Sequence, residues 1–116
     1  MLPSGMLELR EYFGREGRGE FSRWFERLNA EAARRVTTAL YRLGLGNTSN
    51  VKGVGEGVSE YRIDFGPGYR VYFGRDGKRI VILLCGGEKK RQQDDVVRAQ
   101  EFWRDYKNQK RSGPWR

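Results

Sequence analysis

The stretch Gly57–Lys90, GVSEYRIDFGPGYRVYFGRDGKRIVILLCGGEKK, constrains the fold more than any other part of the chain. From Val58 to Phe65 the side chains alternate. Tyr61, Ile63 and Phe65 fall on one face, and Val58, Glu60, Arg62 and Asp64 on the other, which is the period of a β-strand. Gly66-Pro67-Gly68 is a turn signal. Tyr69, Val71 and Phe73 then resume the apolar face, with Arg70 and Tyr72 opposite. Asp76-Gly77 signals a two-residue hairpin. The run from Arg79 to Cys85 is apolar without alternation, as a central strand covered on both faces would be. The stretch therefore predicts an antiparallel meander.

Loop lengths fix an expected register. A Gly66–Gly68 loop pairs Phe65 with Tyr69, sets Asp64 against Arg70 and sets Arg62 against Tyr72. A tight turn at Asp76-Gly77 places Arg70 across from Leu83. On this register helices bury the face of Tyr61, Ile63, Phe65, Val71 and Phe73. The other face collects Arg62, Asp64, Arg70 and Tyr72. The basic loop carrying Lys89, Lys90 and Arg91 leaves from the same sheet end and reaches over Arg70.

The flanking segments supply the cover. Leu7 and Leu9 alternate with Glu8 and Arg10, which predicts a strand up to about Tyr12. Phe21, Trp24, Phe25 and Leu28 lie at helical spacing, and a second helix runs from about Ala30 to Leu43 with Val36, Leu40 and Leu43 on its stripe. Gly44 and Gly46 end it. The Gly-rich segment from Asn47 to Gly57 contains a short strand at Val51-Lys52. It lacks the Gly-Lys-Ser/Thr ending of a phosphate-binding loop, so it reads as a connection. Asp94 is the expected N-cap of a last helix with Val96, Ala99, Trp103 and Tyr106 on one side. The whole predicts an α+β fold and one domain over residues 1–106. Residues 107–116, with Lys107, Lys110, Arg111, Trp115 and Arg116, read as a flexible basic tail, either an accessory arm or an inert end.

Charge and missing residue types narrow the function. With 23 Lys and Arg against 15 Asp and Glu, the net charge is +8, which suits an anionic partner such as nucleic acid, a ribosome or an acidic protein. The chain has no histidine and a single cysteine, Cys85, inside an apolar run. That excludes an internal disulfide, a zinc hydrolase site, a Ser-His-Asp triad and histidine-dependent ribonuclease chemistry. No apolar stretch approaches a membrane span and the N-terminus lacks the pattern of a signal peptide, so the cytoplasm is the expected location.

These elements carry a resemblance. Phe21-x-x-Trp24-Phe25-x-x-Leu28, Gly46-Asn47, the segment Val51–Val58, Glu60-Tyr61-Arg62-Ile63-Asp64, Gly66-Pro67-Gly68-Tyr69-Arg70-Val71-Tyr72-Phe73, Leu83–Lys89, Gln93-Asp94-Asp95 and Ala99-x-x-x-Trp103-x-x-Tyr106 stand in order over roughly residues 7 to 106. The pattern resembles the RelE/ParE toxin superfamily of type II toxin–antitoxin systems, in its HigB-like addiction module killer branch. The resemblance implies a helical hairpin on an antiparallel sheet with a C-terminal helix. It implies a toxin held silent by a cognate antitoxin, expected to be a small helix-turn-helix protein, with a higher-order complex as a further option. It implies no cofactor and no metal. Its RelE branch cleaves mRNA in the ribosome. Its ParE branch inhibits DNA gyrase without catalysis, and a degenerate member would only bind its antitoxin.

The resemblance also assigns roles. Metal-independent RNA cleavage needs a base at the 2′-hydroxyl, positive charge on the phosphate oxygens and an acid at the leaving oxygen. Arg70 matches the arginine of the family's Gly-Tyr-Arg strand and takes the phosphate. Lys89 falls near a basic catalytic position, with Lys90 or Arg91 as substitutes. Arg62, Lys52 and Tyr72 are expected substrate contacts, and Arg98, Arg104 and Lys107 ribosome or antitoxin contacts. Asp64 stands where RelE carries a second lysine, and acts either as the base or as an ion-pair partner of Arg70. The tyrosine that RelE places in its C-terminal region has no counterpart here; Asp94 and Asp95 lie nearby.

Overall fold

The computed structural model describes residues 5–112, so Trp115 and Arg116 of the predicted tail lie outside the described residues. In chain order the elements are β1 (Glu8–Glu11), α1 (Glu20–Glu26), α2 (Ala30–Gly44), β2 (Val51–Gly53), β3 (Val58–Ile63), β4 (Tyr69–Asp76), β5 (Ile80–Glu88), a 3-10 turn (Lys89–Arg91) and α3 (Gln92–Arg111). The strands form one sheet in the order β1-β5-β4-β3-β2. The meander from β2 to β5 is antiparallel as expected, while β1 adds to β5 in parallel. The predicted α+β fold is present. Helix α3 begins at Gln92, with Asp94 and Asp95 in its first turn rather than at its cap. It continues to Arg111, so Lys107, Lys110 and Arg111 lie on a helix.

Local chemistry starts the two early helices in different ways. Asn29 caps α2 directly, its Oδ1 accepting from the Ala32 N–H at 2.9 Å, a bond worth about 1 kcal/mol. Helix α1 is preceded by Gly19, which has no side chain to cap with. The Glu11 carboxylate of β1 accepts instead from the Ser22 N–H and hydroxyl at 2.7 and 2.8 Å. The strand thus tethers the helix.

Two cores sandwich the sheet. On one face Ala32, Val36, Ala39 and Leu43 of α2 and Phe21 of α1 pack on Tyr61, Ile63, Tyr69, Val71, Phe73, Val81 and Leu83. On the other, Ala99 and Trp103 of α3 pack on Val58, Tyr72, Ile82, Leu84 and Cys85. The second core corrects the expectation of an open arginine-bearing face: α3 lies over it, tied down along its length. Gln92 donates to Glu60 at 2.8 Å, Gln100 to the Val54 carbonyl at 3.0 Å, and Tyr106 to Asp76 at 2.5 Å. The Trp103 indole lies flat on Gly74, where a Cβ would collide with its ring.

The register differs from expectation at both turns. Ile63 pairs with Tyr69 and Arg62 with Arg70, because the turn takes in residues 64–68. The Gly68 N–H donates to the Phe65 carbonyl at 3.0 Å and closes an inner turn, which leaves Asp64 outside the strand. The expected Asp64–Arg70 and Arg62–Tyr72 pairs therefore do not form. At the next hairpin Asp76 pairs with Ile80, so the loop is Gly77-Lys78-Arg79 rather than two residues. A bulge follows: Phe73 pairs with Leu83 but Tyr72 with Cys85, leaving Leu84 as the extra residue. Arg70 therefore faces Gly87, not Leu83. The bulge also exchanges faces beyond it. Gly86 lies under Trp24 of α1 and Gly87 under Asp95 of α3, and neither has room for a Cβ.

Cys85 is fully buried, as its neighbours suggested, and burial pushes its thiol up to about 12. The Tyr106 hydroxyl is raised to about 12 by burial and by its bond to Asp76. Unfolded, these groups ionise from about pH 9 for the thiol and about 10 for the phenol. Their contribution to stability is full below about pH 9 and is lost as pH rises toward 12. The urea midpoint is accordingly expected to fall steadily over that window. Native Cys85 should react with a disulfide reagent no faster than the chain unfolds.

Candidate functional site

The end of the sheet at the β3–β4 turn gathers Arg62, Asp64, Arg70 and Lys89, four of the eight expected residues. Arg70, on β4, is only 5% exposed. Its Nη1 donates to the Gly68 carbonyl at 2.8 Å, and the same carbonyl accepts the Lys89 N–H at 2.8 Å. One backbone oxygen thus couples the arginine to the turn after β5. Gly68 has φ +81°, and a Cβ there would press on Arg70 Nη1 and on the Lys89 stem. Only glycine provides both the left-handed backbone and the gap. Arg62, Asp64, Arg70 and Lys89 line one shallow depression of about 370 Å³ around Gly66, Pro67 and Gly68.

Beneath the depression is a buried carboxylate. Glu60, on β3, is fully buried, diagonal to Arg70 across the strands. Its Oε2 lies 3.8 Å from Arg70 Nε and accepts from Gln92 Nε2 at 2.8 Å. Its Oε1 faces Lys52 Nζ at 3.9 Å from the edge strand. Glu60 Oε1, Arg70 Nε and the Tyr72 hydroxyl are all buried without a hydrogen-bond partner among the described residues. Tyr72 is fully buried under α3; burial, and then the charge of Glu60, push its hydroxyl above the ordinary phenol range. Asp64 is turned outward, its side chain 86% exposed and its Oδ1 3.8 Å from Arg62 Nε.

Residues 23–101 match the family described as Phage derived protein Gp49-like (DUF891). A protein of Haemophilus influenzae, described as uncharacterized, is 41% identical over 80 residues, 68% of this chain and 81% of that one. The chain belongs to the Gp49-like family. This is a type II toxin family of the RelE/HigB-like kind, and membership implies an antitoxin partner. No helix of the described Gp49-like chain is long and apolar enough to cross a membrane.

The remaining expected residues of this Gp49-like domain stand elsewhere. Lys90 and Arg91 line a second depression of about 520 Å³ with Trp24, Arg27, Asp95 and Arg98, on the α1 side of the 3-10 turn. Asp95 is 6% exposed there; burial raises its carboxyl, opposed by Arg98 at 3.2 Å. Lys52 is an exposed lysine reaching back to Glu60. Among the described residues no group of three or more His, Cys, Asp or Glu could hold a metal ion.

Sequence reasoning gave Glu60 and Gln92 no role. A signal for Glu60 was available: it alternates onto the same face as Val58 and Arg62, and Lys52 lies opposite it once β2 pairs with β3. Nothing in the sequence marked Gln92, because its partner comes only with the docking of α3.

Proposed function

We propose that this chain is the toxin of a type II toxin–antitoxin pair, of the HigB-like branch, acting as a metal-independent endoribonuclease on ribosome-bound mRNA. The observation that carries the reading is the convergence of Arg62, Arg70 and Lys89 on one depression at the Gly66–Gly68 turn. Arg70, fixed by the Gly68 carbonyl and Glu60, offers its outer nitrogens to a phosphate. Such a preorganised donor stabilises developing charge without reorganising during the reaction. Lys89 is exposed on a stem long enough to reach a leaving oxygen. Asp64, free of Arg70, takes the role of base at the 2′-hydroxyl. Lys90 and Arg91, around the corner, serve the ribosome or a flanking phosphate. The antitoxin, the ribosome and mRNA are the implied partners.

Induction in cells should arrest translation and leave transcripts cut within their reading frames, read by mapping transcript ends. Arg70→Ala would strand Glu60, so Arg70→Lys is the cleaner variant: it keeps the charge and loses the two-pronged geometry. Arg70→Lys and Lys89→Ala are each expected to reduce cleavage about 10²-fold or more. Undiminished cutting in both would sink the assignment. The burial of Arg70 and Tyr72 favours a second reading, a ParE-type sheet end that binds gyrase and cuts nothing. Intact transcripts together with DNA-damage signalling would select it.

A further inference from the structure

A second basic feature lies apart from Arg70. Between α2 and the end of β3 runs a groove of about 450 Å³, walled by Arg34, Arg35, Thr38 and Arg42 on one side and by Asn50 and Arg62 on the other. Its origin is topological. Edge strand β2 begins only at Val51, opposite Tyr61, so Arg62 and Ile63 at the end of β3 pair with β4 on one side and have no strand on the other. Arg35, Thr38 and Arg42 repeat at i, i+3 and i+7 along the flank of α2 next to its buried stripe, a row about 10 Å long.

The groove carries more positive charge than it neutralises. Glu31 takes Arg34 at 2.5 Å and Arg35 at 3.2 Å. Asp64 stands 3.8 Å from Arg62. The Arg42 guanidinium has no ion pair or hydrogen bond with a described residue. The Arg35 guanidinium is also held over the Phe65 ring, 4.4 Å from its centroid, which fixes its direction. Arranging like charges along two walls costs free energy in the empty protein and is recovered when a polyanion lies between them. The groove opens through Arg62, Asp64 and Phe65 into the depression at Arg70 and Lys89.

We infer that this groove binds the phosphate backbone of single-stranded RNA and leads it to the β3–β4 turn. The inference rests on the reading of the chain as an RNA-directed toxin, but its test needs no cleavage. The walls present guanidinium, hydroxyl and amide groups, which engage phosphates without reading bases, so binding is electrostatic and tolerant of sequence. An acidic protein partner is less well served, because the one large apolar ring in the groove is already capped by Arg35.

The test is binding of a fluorescently labelled 2′-O-methyl oligouridylate, which has no 2′-hydroxyl to attack, over a range of salt. The double variant R35Q/R42Q should bind roughly tenfold or more weakly at low salt, and its log–log salt slope should be shallower by about 1.4, two phosphate contacts' worth. The control K78Q/R18Q removes the same charge from the β4–β5 turn and from the loop before α1, and should keep the wild-type slope. Equal losses in both doubles would show diffuse attraction and overturn the groove. So would an unchanged slope in R35Q/R42Q, or loss of antitoxin binding with RNA binding intact. Transcripts left intact after induction would sink the cleavage reading while this measurement stands or falls alone.

Discussion

Replacing Glu60 by alanine is expected to lower the unfolding free energy by about 3–5 kcal/mol, the cost of leaving a buried charge without its partner. The carboxylate is fully buried and Arg70 is 5% exposed, so solvent cannot take over the neutralisation. The loss also removes the acceptor for Gln92, one of the bonds that dock α3. Against a typical domain margin of about 5–15 kcal/mol, the variant would keep only part of its stability at 37 °C. Urea denaturation measures it directly. The double replacement Glu60→Leu with Arg70→Met should recover much of the deficit, because two apolar groups of similar volume leave no orphan charge. A loss under about 1 kcal/mol for Glu60→Ala would mean that Arg70 is neutralised by something else.

Trp103→Ala carries the other large expected effect, a loss of about 3–5 kcal/mol. The indole is 6% exposed, packs flat on Gly74, abuts Gly57 and stacks on Tyr106 with centroids 5.2 Å apart. The floor of the site is glycine, with no side chain to fall into the vacated volume, so relaxation is limited and the cavity term stays near its full size. Val97→Ala, on the exposed side of the same helix, should stay within about 0.5 kcal/mol. Near-equal effects for the two positions would show that α3 contributes little to the second core.

The two replacements probe the feature that was hardest to read in the chain. Tyr72 and Arg70 alternate away from Val71 and Phe73, an alternation that predicts one buried face and one open face. In fact Tyr72 is as buried as Phe73. The unbroken apolar run of β5 was the clue that both faces are covered, yet it did not extend to β4, whose alternation of aromatic and basic residues looked amphipathic. Arginine and tyrosine can be buried when a carboxylate stands beside them. That carboxylate, Glu60, is ten residues away in sequence and meets Arg70 only across a diagonal of the sheet.

The sequence by itself determined the elements. Alternation gave β3 and β4, helical spacing gave α1, α2 and the buried side of α3, and the absence of histidine removed whole classes of chemistry. It also placed Arg62, Arg70 and Lys89 at one end of the sheet, because the order of strands and turns requires it. Only the tertiary structure decided the register and the partners. The Gly66-Pro67-Gly68 turn closes around Phe65 and releases Asp64, a matter of which N–H meets which carbonyl. The bulge at Leu84 turns Gly86 toward Trp24 and Gly87 toward Asp95, because both glycines must admit large groups from opposite helices. Helix α3 then seals Glu60 over Arg70. The local pattern names what kind of strand or helix a segment forms. Which charge neutralises which is settled by packing between segments far apart in the chain.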